Sequence, residues 1–311
     1  MSQSSVIVIA YYADDWLPNC LKSLSKASKD QLHVVLADNY GNTLIETLNT
    51  ESLNLELLRL NGPLGFAVAN NNALVATHKL HEFLVLLNQD TISQNGWIDE
   101  CVQHLNNNDR LGAISPLIRN YDDSDWDPSF LDCLSKQQRA MLDQENLASD
   151  ILYTSHIPAP ALVVRKSILD EVGPFDPIYG SYYEDYDLCA RIRKAGYENG
   201  FCTKARIQHY SGSSTNTPER ERKRMQQILR NRAIYRIRHE RPSRVGTMFR
   251  LFALDFPRRL VRAVLRTPSS QPVQVVLTAY YQVLKQAPRI LFKERDTRQF
   301  SSYLHSIGWK V

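Results

Sequence analysis

The sequence predicts an α/β fold: a mostly parallel sheet flanked by helices, followed by a helical basic extension. Three observations carry this. Short apolar runs alternate with amphipathic stretches through the first third of the chain. Those runs end in turn-forming residues. Charge then divides the chain, with a net charge of about −11 over residues 1–218 and about +15 over residues 219–311.

Residues 6–10 are a short β-branched run and form the first strand. Residues 17–24 are amphipathic. Residues 33–37 form a second strand, closed by Asp38-Asn39-Tyr40-Gly41-Asn42. Residues 43–48 have a helical pattern. Residues 55–60 form a third strand, closed by Asn61-Gly62-Pro63, and 66–78 a helix before a fourth strand at 83–87. Fully apolar strands alternating with helices indicate a parallel sheet covered on both faces. Right-handed crossovers put the strand carboxyl ends on one edge.

Residues 120–155 are polar and are expected to be irregular. Asp122, Asp123, Asp125 and Asp127 cluster there without the Gly and terminal Glu of a calcium loop, which favours a solvated loop. Residues 161–164 return as a buried strand. Residues 166–172 form a short helix stopped by Gly173-Pro174, and 184–195 a helix stopped by Gly196. The charge break falls at Thr217-Pro218, with Thr217 as N-cap, Pro218 at the first helical position, and Glu219 and Glu221 in the first turn. That helix is expected to reach about His239. Two units follow from this break, a body of residues 1–217 and an extension of residues 218–311.

Several classes are excluded. The five cysteines form no C-x-x-C pair, which fits a reducing cytosol better than a disulfide scaffold or a zinc site. No signal-peptide pattern is present, and no apolar run approaches the ~18 residues that span a bilayer. A dinucleotide-binding G-x-G-x-x-G and a P-loop are both absent.

Ligands of open α/β sheets bind outside the strand carboxyl ends, so Tyr11, Asp38 and Asp90 are expected to converge on one crevice. Asp38 and Asp90 are equally ordinary turn formers. Glu184, Asp185 and Asp187 stand at a helix start, where acids also complement the helix dipole. His209, alone on the next extended segment, is either a core histidine or a ligand. If the ligand is a sugar nucleotide, breaking its anomeric bond develops charge on the leaving diphosphate, which a carboxylate-held divalent metal neutralises. The acceptor hydroxyl needs a base on the opposite face. Asp90 and His209 suit the metal, Asp185 the base, Asp38 the nucleobase edge and Tyr11 its wall.

In these residues the sequence resembles the inverting GT-A glycosyltransferases of family 2, closest to the bacterial rhamnosyltransferase-like branch. The resemblance covers residues 5–215. It rests on Val6-Ile7-Val8-Ile9-Ala10-Tyr11, Leu36-Ala37-Asp38-Asn39, Leu64-Gly65-Phe66-Ala67 with Asn70-Asn71, Asn88-Gln89-Asp90, Gly173-Pro174-Phe175-Asp176, and Glu184-Asp185-Tyr186-Asp187-Leu188 with Arg191. It implies a Rossmann-like GT-A body. It implies nucleotide contacts at Tyr11, Asp38, Asn39, Gly65, Asn71 and Asn88, and a divalent metal, Mg or Mn, at Asp90 and His209. Asp185 is implied as the base, with Glu184 supporting it or touching the acceptor. The chain departs from the family pattern at Tyr12, Pro63, Asn88 and Pro160. Asn88 replaces the first Asp of D-x-D and leaves one carboxylate for the metal.

The implied function is transfer of a sugar, rhamnose among the candidates, from a dTDP- or UDP-linked donor. The acceptor is a saccharide or a lipid-linked saccharide of bacterial surface polysaccharide synthesis. The alternatives are a catalytically inactive nucleotide-sugar-binding or scaffold subunit and a sugar nucleotidyltransferase. The latter needs a Gly-rich basic loop that residues 11–18 do not offer.

In the tail, residues 248–266 set Phe249, Phe252, Phe256, Leu260, Val261 and Val264 among five arginines, and 273–292 form another helical stretch. No nucleic-acid module is recognisable, so nucleic acid is not expected as a partner. An anionic membrane surface, packing on the body and a second copy of the chain remain open for this segment. The expected location is cytoplasmic, with peripheral attachment at the inner membrane if the tail meets lipid.

Overall fold

The computed structural model describes residues 4–12, 15–40, 45, 48, 53–77, 81–143, 147, 149–211, 217–240, 243–265, 272–292 and 305–306. The chain divides into two compact units. One comprises residues 1–180, 185–213 and 310–311, and the other residues 181–184 and 214–309.

The larger unit is built on a nine-stranded sheet. Strands β1 (Ser4–Ala10), β2 (His33–Asp38), β3 (Asn54–Arg59) and β4 (Phe83–Asn88) are mutually parallel in the order β3-β2-β1-β4. The connecting helices include α1 (Leu17–Leu24) and α2 (Phe66–Thr77). β1 is buried along its whole length and β2 and β4 nearly so, as a strand covered on both faces requires. β3 departs from that expectation. It is the edge strand, and Asn54, Glu56, Leu57 and Arg59 are exposed.

The sheet continues through β5 (Thr91–Ser93), α3 (Trp97–Asn107), β6 (Leu111–Asn120), α4 (Pro128–Leu131), α5 (Lys136–Asp143), β7 (Ile151–Thr154), β8 (Ala161–Arg165), α6 (Lys166–Val172), α7 (Glu184–Lys194) and β9 (Glu198–His209). β8 runs antiparallel to both β4 and β6, and β6 is parallel to β9. β5 and β7 each pair antiparallel with β9. Residues 120–155 are therefore not irregular throughout, since they contain α4, α5 and β7. These elements are short and polar-rich, so hydrophobic periodicity has too few residues to register. Asp127 is not a solvated loop residue either, being fully buried. Most of the 43–48 segment lies outside the described residues.

Two side-chain devices fix the loops around α7. Asn71, fully buried, donates from Nδ2 to the Phe175 carbonyl at 2.8 Å and accepts the Phe175 N–H at 3.0 Å. Arg191 pairs with buried Asp187 at 2.8 Å and donates to the carbonyls of Val172, Gly173 and Pro174. Asp187 thus has a structural task one turn into α7.

The smaller unit contains α8 (Pro218–His239), α9 (Arg244–Arg250), a π-helical turn (Leu251–Asp255), α10 (Phe256–Leu265), α11 (Val273–Lys285) and α12 (Ala287–Phe292). Thr217 caps α8 by accepting the Arg220 N–H, and the helix ends at His239 as expected. Its core gathers Leu229, Ala263, Val275, Val276, Ala279 and Tyr280, with Phe252 and Phe256 packed against it. The 248–266 stretch is interrupted by the π turn, and 273–292 breaks at Gln286. Buried Asn231 of α8 donates to the carbonyls of Ser181 and Tyr182 at 2.8 and 2.7 Å. Tyr182 and Tyr183 both hold positive φ (70° and 71°), a conformation that costs roughly 1–3 kcal/mol for such residues.

Removing the Arg191 guanidinium leaves Asp187 as an uncompensated buried charge and three carbonyls without that donor. Arg191→Met is expected to destabilise the protein by about 3–5 kcal/mol in urea-unfolding measurements.

Candidate active site

The carboxyl ends of β1, β2 and β4 carry the first group of predicted residues. Gln89 ties two of these ends together. Its Oε1 accepts the Tyr11 N–H at 2.6 Å, and its Nε2 donates to the Tyr11 carbonyl at 2.9 Å. Both backbone groups of Tyr11 are thus fixed from the end of β4. Tyr11 packs edge-on against Tyr12, and Tyr12 against Tyr40. At the end of β2, Asp38 accepts the Tyr40 N–H at 3.3 Å and pairs with Arg59 of β3 at 3.2 Å. Parallel register sets Asp38 opposite Arg59. Neither Gln89 nor Arg59 was singled out from sequence. The Gln89 signal was its place beside Asp90.

Asn39, Gly65 and Asn71 hold loops. The Asn39 side chain accepts the Leu64 N–H and donates to the Leu64 carbonyl, both at 2.9 Å. Gly65 lies so close to Gly180 that a Cβ would stand 3.0 Å from its backbone. The Ala67 N–H donates to the Gly180 carbonyl at 2.7 Å. The Leu64–Gly65 turn is therefore pinned from β2 on one side and from the loop before α7 on the other.

A second group forms where β5 meets β9. Their register sets Thr91 opposite His209 and so carries Asp90 beside the imidazole. His209 Nε2 stands 3.6 Å from Asp90 Oδ1, and both residues are buried. On the far side of the ring, Nδ1 stands 2.9 Å from Asp127 Oδ2. Ser211 Oγ also donates to that oxygen at 2.6 Å. Burial alone pushes the His209 imidazolium down. The Asp127 hydrogen bond and the charges of Asp90 and Asp127 outweigh it, so His209 titrates above its ordinary value. Burial likewise works against ionisation of Asp127, but His209, Ser129 and Ser211 hold that carboxyl well below the usual range. Beside this group Trp16 stacks on Tyr210 at 4.0 Å, and Tyr121 meets both rings edge-on.

Among the described residues no cluster of three or more His, Cys, Asp or Glu side chains could hold a metal ion. The Asp90 carboxylate and the His209 imidazole nonetheless converge, 3.6 Å apart. One carboxylate and one imidazole would fit a divalent ion, and the imidazole would favour Mn over Mg.

The third group surrounds Asp185. The Asn88 N–H donates to the Pro160 carbonyl at 2.9 Å, so the chain entering β8 abuts the end of β4. Asp185 takes backbone hydrogen bonds from Ala159, in that same segment, and from Tyr186. The base candidate is thereby brought to the edge that bears Asn88 and Asp90. Burial pushes its carboxyl up to about 6, against these backbone donors. His156, which sequence reasoning missed, stacks on Tyr186 at 3.4 Å and sets Nε2 3.8 Å from Asp185 Oδ2. Burial pushes His156 down to about 3, so it stays neutral and brings no cation to Asp185. Glu184, buried, opens α7 one position earlier.

A family model described as "Glycosyltransferase like family 2" matches residues 2–228. An N-acetylglucosaminyl-diphospho-decaprenol L-rhamnosyltransferase of Mycobacterium tuberculosis is 27% identical over 68% of this chain and 76% of its own length. Rhamnosyltransferase WbbL of Escherichia coli is 22% identical over 66% of this chain and 83% of its own. Among solved structures, the Pyrobaculum calidifontis mannosyltransferase PcManGT, in complex with GDP-Man and Mn2+, superposes with a TM-score of 0.58. It is 16% identical, covering 98% of this chain and 85% of that one. GalNAc-T7 with UDP, GalNAc and Mn2+ gives a TM-score of 0.53 at 17% identity over 74% of this chain. This chain spans about half, 47%, of its length. These likenesses show the GT-A fold.

The Asp185 carboxyl is expected to titrate near pH 6, protonating as the pH falls through that value. Carbon-13 NMR of side-chain carboxyls, assigned with Asp185→Asn, reads this directly. A midpoint near the ordinary 3.9 for Asp contradicts the dry setting described above.

Proposed function

We propose, from the premise that this chain belongs to the glycosyltransferase-like family 2, that it moves a sugar with inversion from a nucleoside-diphosphate donor to a saccharide or lipid-linked saccharide. The observation that carries this reading is the convergence on one sheet edge. β5–β9 register brings Asp90 to His209, and the Asn88–Pro160 contact brings Asp185 to the same edge. Relatives named as rhamnosyltransferases support rhamnose as the sugar; dTDP or UDP is proposed as its carrier. The decaprenol in one relative's name supports a lipid-linked acceptor and a role in surface polysaccharide assembly.

Each group then has a task. Asp38 meets the nucleobase edge, steadied by Arg59, and Tyr11 forms the wall beside it. Asn39, Gly65, Asn71 and Asn88 shape the nucleotide crevice. Asp90 and His209 would hold a divalent ion, which when bound would supply positive charge against the leaving diphosphate. The acceptor oxygen bonds to the anomeric carbon and its proton passes to the Asp185 carboxylate. The carbon–oxygen bond to the β-phosphate breaks, and its electron pair leaves on the diphosphate. A carboxyl near 6 is ionised at neutral pH yet basic enough to take that proton. Glu184 supports this base or touches the acceptor. The catalytic body comprises residues 1–217, and residues 218–311 form its extension.

The extension supports peripheral attachment at an anionic membrane, on the cytoplasmic face. No helix among the described residues is long and apolar enough to cross one. On α10, Phe256 and Ala263 face the unit's own core. Val261, Val264 and Leu265 are 54%, 60% and 75% exposed, and exposed Arg258 and Arg262 border them. An apolar stripe edged by arginines matches the interface of an anionic bilayer, where each basic residue contributes ~1 kcal/mol.

Asp185→Asn is expected to abolish transfer while nucleotide-sugar binding by calorimetry persists. Near wild-type turnover overturns the assignment. Wild-type protein is expected to co-sediment with vesicles containing phosphatidylglycerol and less with neutral ones. Val261→Asp with Leu265→Asp should release it. Equal recovery on both vesicle types counts against the membrane reading.

A further inference from the structure

We infer that Asp127 is a positioning residue that selects the His209 tautomer, keeping the Nε2 lone pair toward Asp90. The inference rests on the reading of Asp90 and His209 as metal ligands. It assigns a task to a residue whose sequence neighbourhood of four closely spaced acids pointed to a solvated loop.

The geometry is over-determined around Asp127. The residue is fully buried although it lies between exposed Asp125 and the short helix α4. The chain returns to β6 just before it. Trp126 bridges Arg119, and the Asp127 N–H donates to the Ile118 carbonyl at 3.0 Å. β6 in turn sets Asn120 opposite His209. Strand register therefore delivers the carboxylate to the imidazole.

The two carboxylate oxygens have separate tasks. Oδ1 caps α4, accepting the N–H groups of Ser129 at 2.7 Å and Phe130 at 3.3 Å, together with the Ser129 hydroxyl. Oδ2 accepts from Ser211 Oγ at 2.6 Å and faces His209 Nδ1 at 2.9 Å. An ionised carboxylate accepts and does not donate, so Nδ1 must carry the proton. In the neutral ring Nε2 then presents its lone pair on the side of Asp90, 3.6 Å away. A metal-ligating imidazole needs its other nitrogen held in this way, and losing such a partner typically weakens metal affinity by 10–100-fold.

Asp127→Asn tests this with little disturbance elsewhere. Asn is as good an N-cap as Asp. The Ser129 and Phe130 N–H groups require an acceptor, so the amide oxygen takes the Oδ1 position and the NH2 group faces His209. That group donates to Nδ1, which forces the proton onto Nε2 and blocks the lone pair. Mn2+ binding, followed by electron paramagnetic resonance of the ion with no nucleotide present, should weaken about 10–100-fold in Asp127→Asn. The unfolding midpoint should fall, because the buried charge beside His209 is lost, but the variant should remain folded at the assay temperature. In a His209→Ala background Asp127→Asn should change nothing further.

Nitrogen-15 NMR of wild-type His209 at pH 9 gives a readout that needs no variant fold, and the Nδ1–H tautomer is expected. An Nε2–H tautomer overturns the proposal. So does wild-type Mn2+ affinity in Asp127→Asn when His209→Ala is weakened, or an equal loss in the His209→Ala background. Unchanged affinity in His209→Ala overturns the metal reading itself.

Discussion

The grip of Arg191 on the chain before α7 is the constraint on which the site depends. One guanidinium joins Asp187 to the carbonyls of residues 172–174, all buried. Such a pair is a poor source of net stability, because desolvating both charges offsets most of their attraction. What it supplies is uniqueness of place. α7 cannot slide along its axis without stranding a charge or a carbonyl. Asp185 stands two residues before Asp187 on the same helix, so its position is fixed by the same grip. The Asn71 clamp on Phe175 adds a second attachment to the same loop from α2.

Two different kinds of electrostatics then act at one sheet edge. Around Asp185 the side chain is mostly buried, with backbone donors and a neutral histidine 3.8 Å from its carboxylate but no cation among the described residues. A carboxyl there is pushed toward neutrality and becomes a better proton acceptor. Around His209 the environment is equally buried, but two carboxylates flank the ring. Charge is stabilised there and directed. Burial alone does not set a residue's chemistry; the partners buried with it do. A carboxyl raised by burial and an imidazole held between two carboxylates can therefore share one edge without one imposing its protonation state on the other.

The parallel half of the sheet was legible because its strands are apolar on both faces and end in turn residues. The charge break at Thr217-Pro218 likewise marked the start of α8, whose N-cap and last residue match the sequence reading. The positions of Asp38 and Asp90 at strand ends, of Asp185 at the start of α7 and of His209 at the end of β9 were legible through strand ends and motif order. His156, Gln89 and Arg59 were not, since each acts through a partner 21–78 residues away that no local pattern links to it. Asp127 was misjudged for a physical reason. Four acids within six positions resemble a solvated loop, and the sequence does not show that the last of them is folded under β6.

The extension shows the same limit of periodicity from the other side. A helical pattern in residues 248–266 predicts one apolar face, and a single face can bury either in protein or in lipid. The structure separates two. Phe252 and Phe256 meet Tyr280 at ring distances of 5.4 and 4.9 Å and complete a core. Asp255 serves that core as well, accepting from Arg259 and Tyr280 at its margin. With these residues satisfied inside the unit, Val261, Val264 and Leu265 are left outside it, and the core gives them no reason to be apolar. A helix that needed only to fold would place polar residues there. An outward apolar stripe with an arginine border is what an anionic surface would accept.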